Sequence, residues 1–177
     1  LGSRPSWIDE AIMEYKTLKK EWYGVTVGSE YLTETFEYMT LVGWGTETYT
    51  GNNDIDWTID AKGGENGVNG TKDVYFQNNK IGVQSGIIPG GIGDFSVTCK
   101  DLWSTGNDRV IELIINGNVV STFTHNGSEV YTYSVTNINV EGNFTIALRN
   151  ASDVGADNSL AIDNISWTPF TAPPVYD

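Results

Sequence analysis

SLAIDNISWT, residues 159–168, has the alternation of side chains that is typical of a β-strand. Strand side chains point alternately to two faces, so the pattern predicts that Asp163 lies on an otherwise apolar face. The other members of that face are Ala161, Ile165 and Trp167. A buried carboxylate is costly unless it is paired, hydrogen-bonded or bound to a cation. The segment therefore predicts a strand whose one carboxylate needs a partner.

Most of the chain has the same period of two. Short runs rich in β-branched and aromatic residues, about ten in number, follow one another from residue 35 to residue 167, and Gly-, Asn- and Asp-rich turns separate them. Asn116 and Gly117 between two such runs are the strongest hairpin signal. Successive strands without intervening helices predict an all-β fold, an antiparallel β-sandwich of the jelly-roll type.

Both ends of the chain depart from this pattern. Apolar residues recur every three or four positions over 6–22, which predicts one N-terminal α-helix. The tail 169–177 is proline-rich and is typical of an extended linker. We therefore expect a helix and linker over 1–27, a jelly-roll domain over 28–168 and a Pro-rich linker over 169–177, as in a module of a longer protein.

The composition argues against several partners. Ten Lys and Arg against 23 Asp and Glu give a net charge of −13, which repels nucleic acid and anionic membrane surfaces. No apolar run is long enough to span a bilayer, so we expect no membrane insertion. Cys99 lies in an alternating apolar run and is predicted to be a buried, inert thiol. With a single histidine, a zinc site is nearly excluded.

A second carboxylate, Glu37, lies in the predicted first strand, TFEYM, between apolar neighbours. The first and last strands of a jelly roll run side by side, which would bring Glu37 close to Asp163. Two such carboxylates would suit Ca²⁺, with backbone carbonyls and Asn164 or Asp60 as further oxygen ligands. The alternative is that one or both carboxylates face solvent or accept hydrogen bonds from a turn.

Five segments carry a resemblance to a known group of proteins: TFEYM, YTGNNDIDWTIDAKG, PGGIGDFSVTCK, ELIINGNVV and SLAIDNISW. Together they resemble calcium-containing jelly-roll carbohydrate-binding modules appended to secreted enzymes of Bacteroidetes. The resemblance covers roughly residues 33–168 and implies a structural calcium ion held by Glu37 and Asp163. It also implies a secreted or cell-surface location, with a polysaccharide and neighbouring domains as partners.

A sugar-binding face should present outward aromatic rings beside amide and charged groups, because sugar C–H faces stack on aromatic planes. Strand alternation and one loop tryptophan predict such a set on one sheet: Tyr75, Gln77, Lys100, Trp103, Glu112 and Arg149. Trp103 could instead cap one end of the sandwich. Trp44 is a weaker candidate, whereas Trp57 and Trp167 are predicted to belong to the core.

Catalytic chemistry has little support in the sequence. Asp54 and Asp56 have the spacing of paired carboxylates, but they are most simply the solvated face of a half-buried strand. No nucleophile, metalloprotease or nucleotide-binding motif is present. The sequence favours a non-catalytic polysaccharide-binding module. The alternatives are a structural or adhesive spacer, or an accessory domain of a polysaccharide-degrading enzyme or nuclease.

Overall fold

The computed structural model describes residues 31–64, 67–76, 79–102, 108–152 and 160–172. The chain divides into two compact units, Leu1–Glu30 and Tyr31–Asp177, and the described residues all belong to the second. The predicted helix over 6–22 lies outside the described residues, as does the end of the predicted linker.

The described residues form eleven strands and one short 3-10 turn. They are β1 (Leu32–Glu34), β2 (Gly43–Thr50), the 3-10 turn (Asn52–Asp54), β3 (Asp56–Gly63), β4 (Val74–Phe76), β5 (Lys80–Ser85), β6 (Phe95–Lys100), β7 (Arg109–Ile115), β8 (Asn118–His125), β9 (Tyr131–Val135), β10 (Ile146–Asn150) and β11 (Leu160–Trp167). All strand pairs are antiparallel. The prediction of an antiparallel all-β domain is confirmed.

The strands form two layers that are joined at β3. One layer has the order β2-β3-β5-β10-β7-β8. The other has the order β9-β6-β11, with β4 and β1 both pairing with the remaining side of β11. β3 belongs to both layers, because Trp57–Ile59 pairs with β5 and Lys62–Gly63 pairs with β4.

The first and last described strands are neighbours, as the jelly-roll prediction requires. Leu32 pairs with Trp167, and Glu34 pairs with Ile165. The first strand is only three residues long and ends before the predicted TFEYM segment. The neighbour relation is thus confirmed, but with different residues.

A β-bulge in β11 changes which residues face the core. The register with β6 shifts between Asp163 and Ser166, and Asn164 has a left-handed backbone with φ 51°. The extra residue lets Ile162 and Ile165 both reach the core. Asp163 therefore does not share a face with Ile165, and the uniform alternation predicted for this strand is wrong.

The core lies between the two layers and contains aromatic and β-branched residues from both. Trp57 and Trp167 are fully buried, with ring centroids 6.3 Å apart, which confirms that both belong to the core. Cys99 is a free thiol and is buried, as predicted, and this burial raises its pKa to about 12. Asn116 and Gly117, with φ of 51° and 78°, form the predicted β7–β8 hairpin turn.

Candidate functional site

Two aromatic side chains meet on the outer face of β2, β3 and β4. Trp44 pairs with Lys62 across β2 and β3, and Lys62 pairs with Tyr75 across β3 and β4. Strands lie about 4.8 Å apart, so two strand spacings separate the backbones of Trp44 and Tyr75 by roughly 10 Å. Their ring centroids are nevertheless only 5.9 Å apart, with the planes inclined by 53°. The two rings therefore lean towards each other above Lys62.

This aromatic pair is accessible. Trp44 is 52% exposed and Tyr75 is half-buried. The row continues from Tyr75 through Ala161 to Lys100, whose ammonium group donates to the carbonyl of Gly67 at 3.1 Å. Tyr75 and Lys100, both predicted from strand alternation, thus lie in one row. The aromatic partner of Tyr75 is Trp44, which the sequence pattern had indicated only as a weaker candidate for sugar binding.

Two other predicted residues lie on the other layer. Glu112 on β7 and Arg149 on β10 are cross-strand partners. The Nε of Arg149 donates to Oε2 of Glu112 at 2.6 Å, and its Nη2 forms an ion pair with the same oxygen. The expected common face is therefore divided between the two layers. Gln77 and Trp103 lie outside the described residues.

Glu37 is not on a strand. Phe36 has a φ of 59°, and the amide of Met39 donates to the carbonyl of Phe36 at 3.0 Å, so a tight turn follows β1 directly. Glu37 lies exposed in this turn, where its carboxylate accepts a hydrogen bond from the amide of Lys72 at 2.9 Å. The prediction that Glu37 is a buried strand residue is wrong because the chain turns one residue earlier.

The buried carboxylate of this region is Glu34, which the sequence analysis missed. It is 0% exposed and accepts hydrogen bonds from the amides of Phe36 and Asn52, at 2.7 and 2.8 Å, and from the hydroxyl of Tyr49 at 3.2 Å. Burial raises the pKa of Glu34, and these hydrogen bonds oppose the shift. Its position two residues after Leu32, on the same face of β1, is the signal that could have identified it.

Asp163 lies on the outer side of β11, beneath the segment 67–73. Its Oδ2 accepts from the hydroxyl of Thr71 at 3.0 Å and from the side-chain amides of Asn69 and Asn164 at 3.3 and 3.1 Å. Its Oδ1 accepts from the amide of Asn164 at 2.7 Å. Burial raises the pKa of Asp163, and the nearby negative charge of Asp73 raises it further. In the described part of the chain, Asp163 makes no ion pair with Lys or Arg.

Glu34 and Asp163, two of the buried carboxylates, differ in their fitness for a calcium ion. Both oxygens of Glu34 face N–H or O–H donors, which a cation would repel. Both oxygens of Asp163 also accept hydrogen bonds from N–H or O–H donors. Three of these donors, however, belong to the side chains of Asn69, Thr71 and Asn164, whose rotation would present the hard oxygens that calcium prefers. Over the described residues, no group of three or more His, Cys, Asp and Glu side chains is arranged around a common point.

The groups considered for catalysis are His125 and the pair Asp54 and Asp56. His125 is buried, and its Nε2 is 2.8 Å from the carbonyl oxygen of Gly127. Asp54 ends the 3-10 turn, whereas Asp56 begins β3 and accepts a hydrogen bond from the hydroxyl of Thr50 at 2.7 Å. The predicted pair on one strand is therefore split between two elements.

Among the described residues, no helix is long and apolar enough to cross a membrane.

Several solved structures are similar to this chain. One is the family 36 carbohydrate-binding module of a multidomain xylanase from the hindgut metagenome of Trinervitermes trinervoides, with 18% identity over 81% of this chain and 100% of that one and a TM-score of 0.48. Another contains the family 22 module and catalytic module of Clostridium thermocellum xylanase 10B, complexed with xylohexaose. Its identity is 18% over 82% of this chain and 29% of that one, with a TM-score of 0.49.

A third similar structure is a family 36 carbohydrate-binding module in complex with calcium and xylotriose, with 16% identity over 77% of this chain and 98% of that one and a TM-score of 0.42. No family model matches the sequence, and no curated protein matches it significantly. Since these TM-scores are below 0.5, the function of this chain has to be argued from its own residues.

Proposed function

We propose that the domain is a non-catalytic carbohydrate-binding module that attaches a larger, secreted or cell-surface protein to a polysaccharide. The single observation that carries this proposal is the exposed Trp44–Tyr75 pair, with ring centroids 5.9 Å apart on the outer face of the sheet. Exposing a tryptophan on a strand contributes nothing to the core, whereas a fixed aromatic plane is what the C–H face of a sugar ring needs.

The surroundings of the aromatic pair suit a polyol. Lys62 and Lys100 occupy the same cross-strand row and are hydrogen-bond donors for sugar hydroxyls. The backbone at this point is strand rather than loop, so the rings are held in place before a ligand arrives. Preorganisation of this kind reduces the entropy lost on binding.

The burial and the interactions of the candidate acidic and histidine side chains support the proposal that the domain is non-catalytic. A glycosidase needs two carboxyl groups that face each other across a cleft. Asp163 and Glu34 are buried, and Glu112 forms an ion pair with Arg149. The buried His125 is held by a backbone carbonyl, which removes it from general-base chemistry.

Calcium, which the resemblance to carbohydrate-binding modules implies, enters the proposal as a structural ion. Asp163 would hold it with oxygens of Asn69, Thr71 and Asn164, because this carboxylate is buried beside these side chains and its negative charge lies near that of Asp73. Glu37 is left out of the ligand set, since it is exposed and hydrogen-bonded to the amide of Lys72. The ion would neutralise a buried negative charge and tie the segment 67–73 to β11.

Affinity electrophoresis in gels containing soluble xylan, mixed-linkage β-glucan or alginate tests the proposal. The domain should be retarded by at least one polysaccharide, and Trp44→Ala or Tyr75→Ala should weaken binding about tenfold or more, as for a central aromatic contact. Tyr38→Ala is the matched control, because Tyr38 is 63% exposed but lies in the turn after β1. Absence of retardation in every gel would favour the structural or adhesive spacer instead.

A further inference from the structure

A second group of aromatic rings lies where the edges of the two layers meet. β8 pairs only with β7, and β9 pairs only with β6, among the described strands. Phe123 of β8 stacks on Tyr133 of β9, with centroids 4.4 Å apart and planes inclined by 19°. The hydroxyl of Tyr133 donates to the carbonyl of Thr124. These contacts join the edge of one layer to the edge of the other, and we call this line of contact the seam.

The contacts that close the seam explain why aromatic residues stand at positions 123 and 133, but they do not explain the exposed ring of Tyr131. Phe123 and Tyr133 are partly buried and pack against the core. Tyr131 is 55% exposed, and its ring centroid lies 4.6 Å from that of Tyr133, with planes inclined by 54°. It thus extends the aromatic row into solvent. Because Tyr133 is itself held by Phe123 and by Thr124, the ring of Tyr131 rests on a rigid support.

The inclination of the two rings is similar in the two aromatic pairs, although the ring centroids lie closer together in the second pair. Trp44 and Tyr75 are inclined by 53° at 5.9 Å, and Tyr131 and Tyr133 by 54° at 4.6 Å. In both pairs one ring is more than half exposed and the other is half-buried beneath it. In both places an exposed ring rests on a second aromatic side chain, and such a supported ring suits the flat C–H face of a sugar.

The polar groups around Tyr131 favour a neutral glycan over an anionic one. Glu129 is exposed two residues before Tyr131 and can accept hydrogen bonds from sugar hydroxyls, whereas the hydroxyl of Thr132 lies on the opposite face and is hydrogen-bonded to that of Thr98 at 3.0 Å. The net charge of −13 opposes an anionic ligand at a position with no neighbouring lysine or arginine in the sequence from 126 to 136.

We propose that Tyr131, supported by Tyr133 and Phe123, forms a second sugar-stacking site for neutral polysaccharides, which makes the domain bivalent. This proposal rests on the proposed carbohydrate-binding function. Tyr75 lies in the outer-face row that continues to Lys100, whereas Tyr131 is paired with the core-facing Cys99, so the two aromatic pairs lie on opposite faces of this layer and engage different sugar rings. Two weak sites on one domain would raise the avidity for a long chain well above the affinity of either site.

The test uses the aromatic-pair variant Trp44→Ala/Tyr75→Ala and the same variant with Tyr131→Ala added, in gels containing soluble xylan. The proposal expects the double variant to keep weakened but measurable retardation, and the triple variant to lose it. Tyr131→Phe in place of Tyr131→Ala should retain the retardation, because the ring remains. Val130→Ala is the control, since Val130 is 44% exposed and adjacent.

The outcomes separate the two proposals. If the wild-type domain is retarded and the double variant is not, the second site is overturned and the carbohydrate-binding function stands. If the double and triple variants are retarded equally, Tyr131 is likewise not a site. If the wild-type domain is not retarded in any polysaccharide gel, the carbohydrate-binding function itself fails, and the second site with it. Near-ultraviolet circular dichroism of each variant checks that the seam remains folded.

Discussion

Asp101 and Arg109 form a buried ion pair, with Nη2 and Oδ2 3.1 Å apart and side chains that are 1% and 0% exposed. Asp101 follows β6 in one layer, and Arg109 begins β7 in the other. The pair therefore connects the two layers at one end of the sandwich. The segment 103–107 between them includes Trp103, a predicted ligand-binding residue.

Removing one partner of this pair should be strongly destabilising. Asp101→Ala leaves a guanidinium buried without its carboxylate, and such changes cost about 3–5 kcal/mol. Lys80→Met is the matched control, because the Lys80–Asp60 pair is half exposed and its loss should change the free energy of unfolding by less than about 1 kcal/mol. Urea denaturation of both variants gives the comparison. Equal effects would mean that the buried pair has no special role in the fold.

Calcium should stabilise the domain through Asp163. A ligand that binds only the folded state stabilises it by about 2.7 kcal/mol at roughly one hundred times Kd, which corresponds to a rise in Tm on the order of 5–10 °C. Asp163→Asn should abolish this rise, whereas Glu37→Gln should leave it intact, because Glu37 lies exposed in a turn. Thermal melts with excess calcium and with chelator provide the measurement. An undiminished calcium effect in Asp163→Asn would place the ion elsewhere.

Glu34 should make the stability depend on pH. Burial raises its pKa above the ordinary 4.5, so the folded state binds the proton more tightly than the unfolded state does. The stabilisation from this group is fully present below pH 4.5 and is lost as the pH rises through the raised pKa. In chelator, the free energy of unfolding of the wild type should fall across this window relative to that of Glu34→Gln. A profile for Glu34→Gln that is parallel to that of the wild type would contradict the assignment.

The close approach of β5 to β4 should make Gly82 sensitive to substitution. A Cβ atom at Gly82 would lie 2.4 Å from Cβ and Cγ of Phe76, a fully buried side chain that cannot move freely. Gly82→Ala should therefore destabilise the domain by about 1–3 kcal/mol or more, as overpacked core positions do. Gly86→Ala is the control, because its nearest contact would be the carbonyl of Asp56 at 3.4 Å. Denaturant midpoints that are lowered equally would contradict the steric explanation.

The strand alternation in the sequence was sufficient for the fold class and for much of the core. Trp57, Trp167 and Cys99 lie where their alternating neighbours predicted, since a period of two directly reports which side chains share a face. Alternation also predicted that Tyr75 and Lys100 point outward, and they lie in one cross-strand row. The alternation along one strand shows which side chains share a face, and it does so whichever strands lie beside it.

The candidate site was only partly predictable, because it depends on interruptions of that pattern. The extra residue of the bulge at Asn164 places Asp163 and Ile165 on different faces of the strand. The left-handed backbone conformation of Phe36 ends the first strand before Glu37. Phe36 carries no turn signal, and Asn164, although asparagine adopts a left-handed backbone more readily than most residues, lies inside an otherwise apolar strand pattern that gave no reason to expect a bulge. The buried carboxylate beside the last strand is consequently Glu34 rather than Glu37.

By itself, the amino-acid sequence determined that this chain forms antiparallel strands with one apolar face, because local periodicity and turn residues act within a few positions. Only the tertiary structure decided that Trp44 meets Tyr75 over Lys62, that Glu112 and Arg149 belong to the other layer, and that Asp163 lies beneath Asn69 and Thr71. Those relations depend on strand order and register, which are set by the packing of distant segments against a common core.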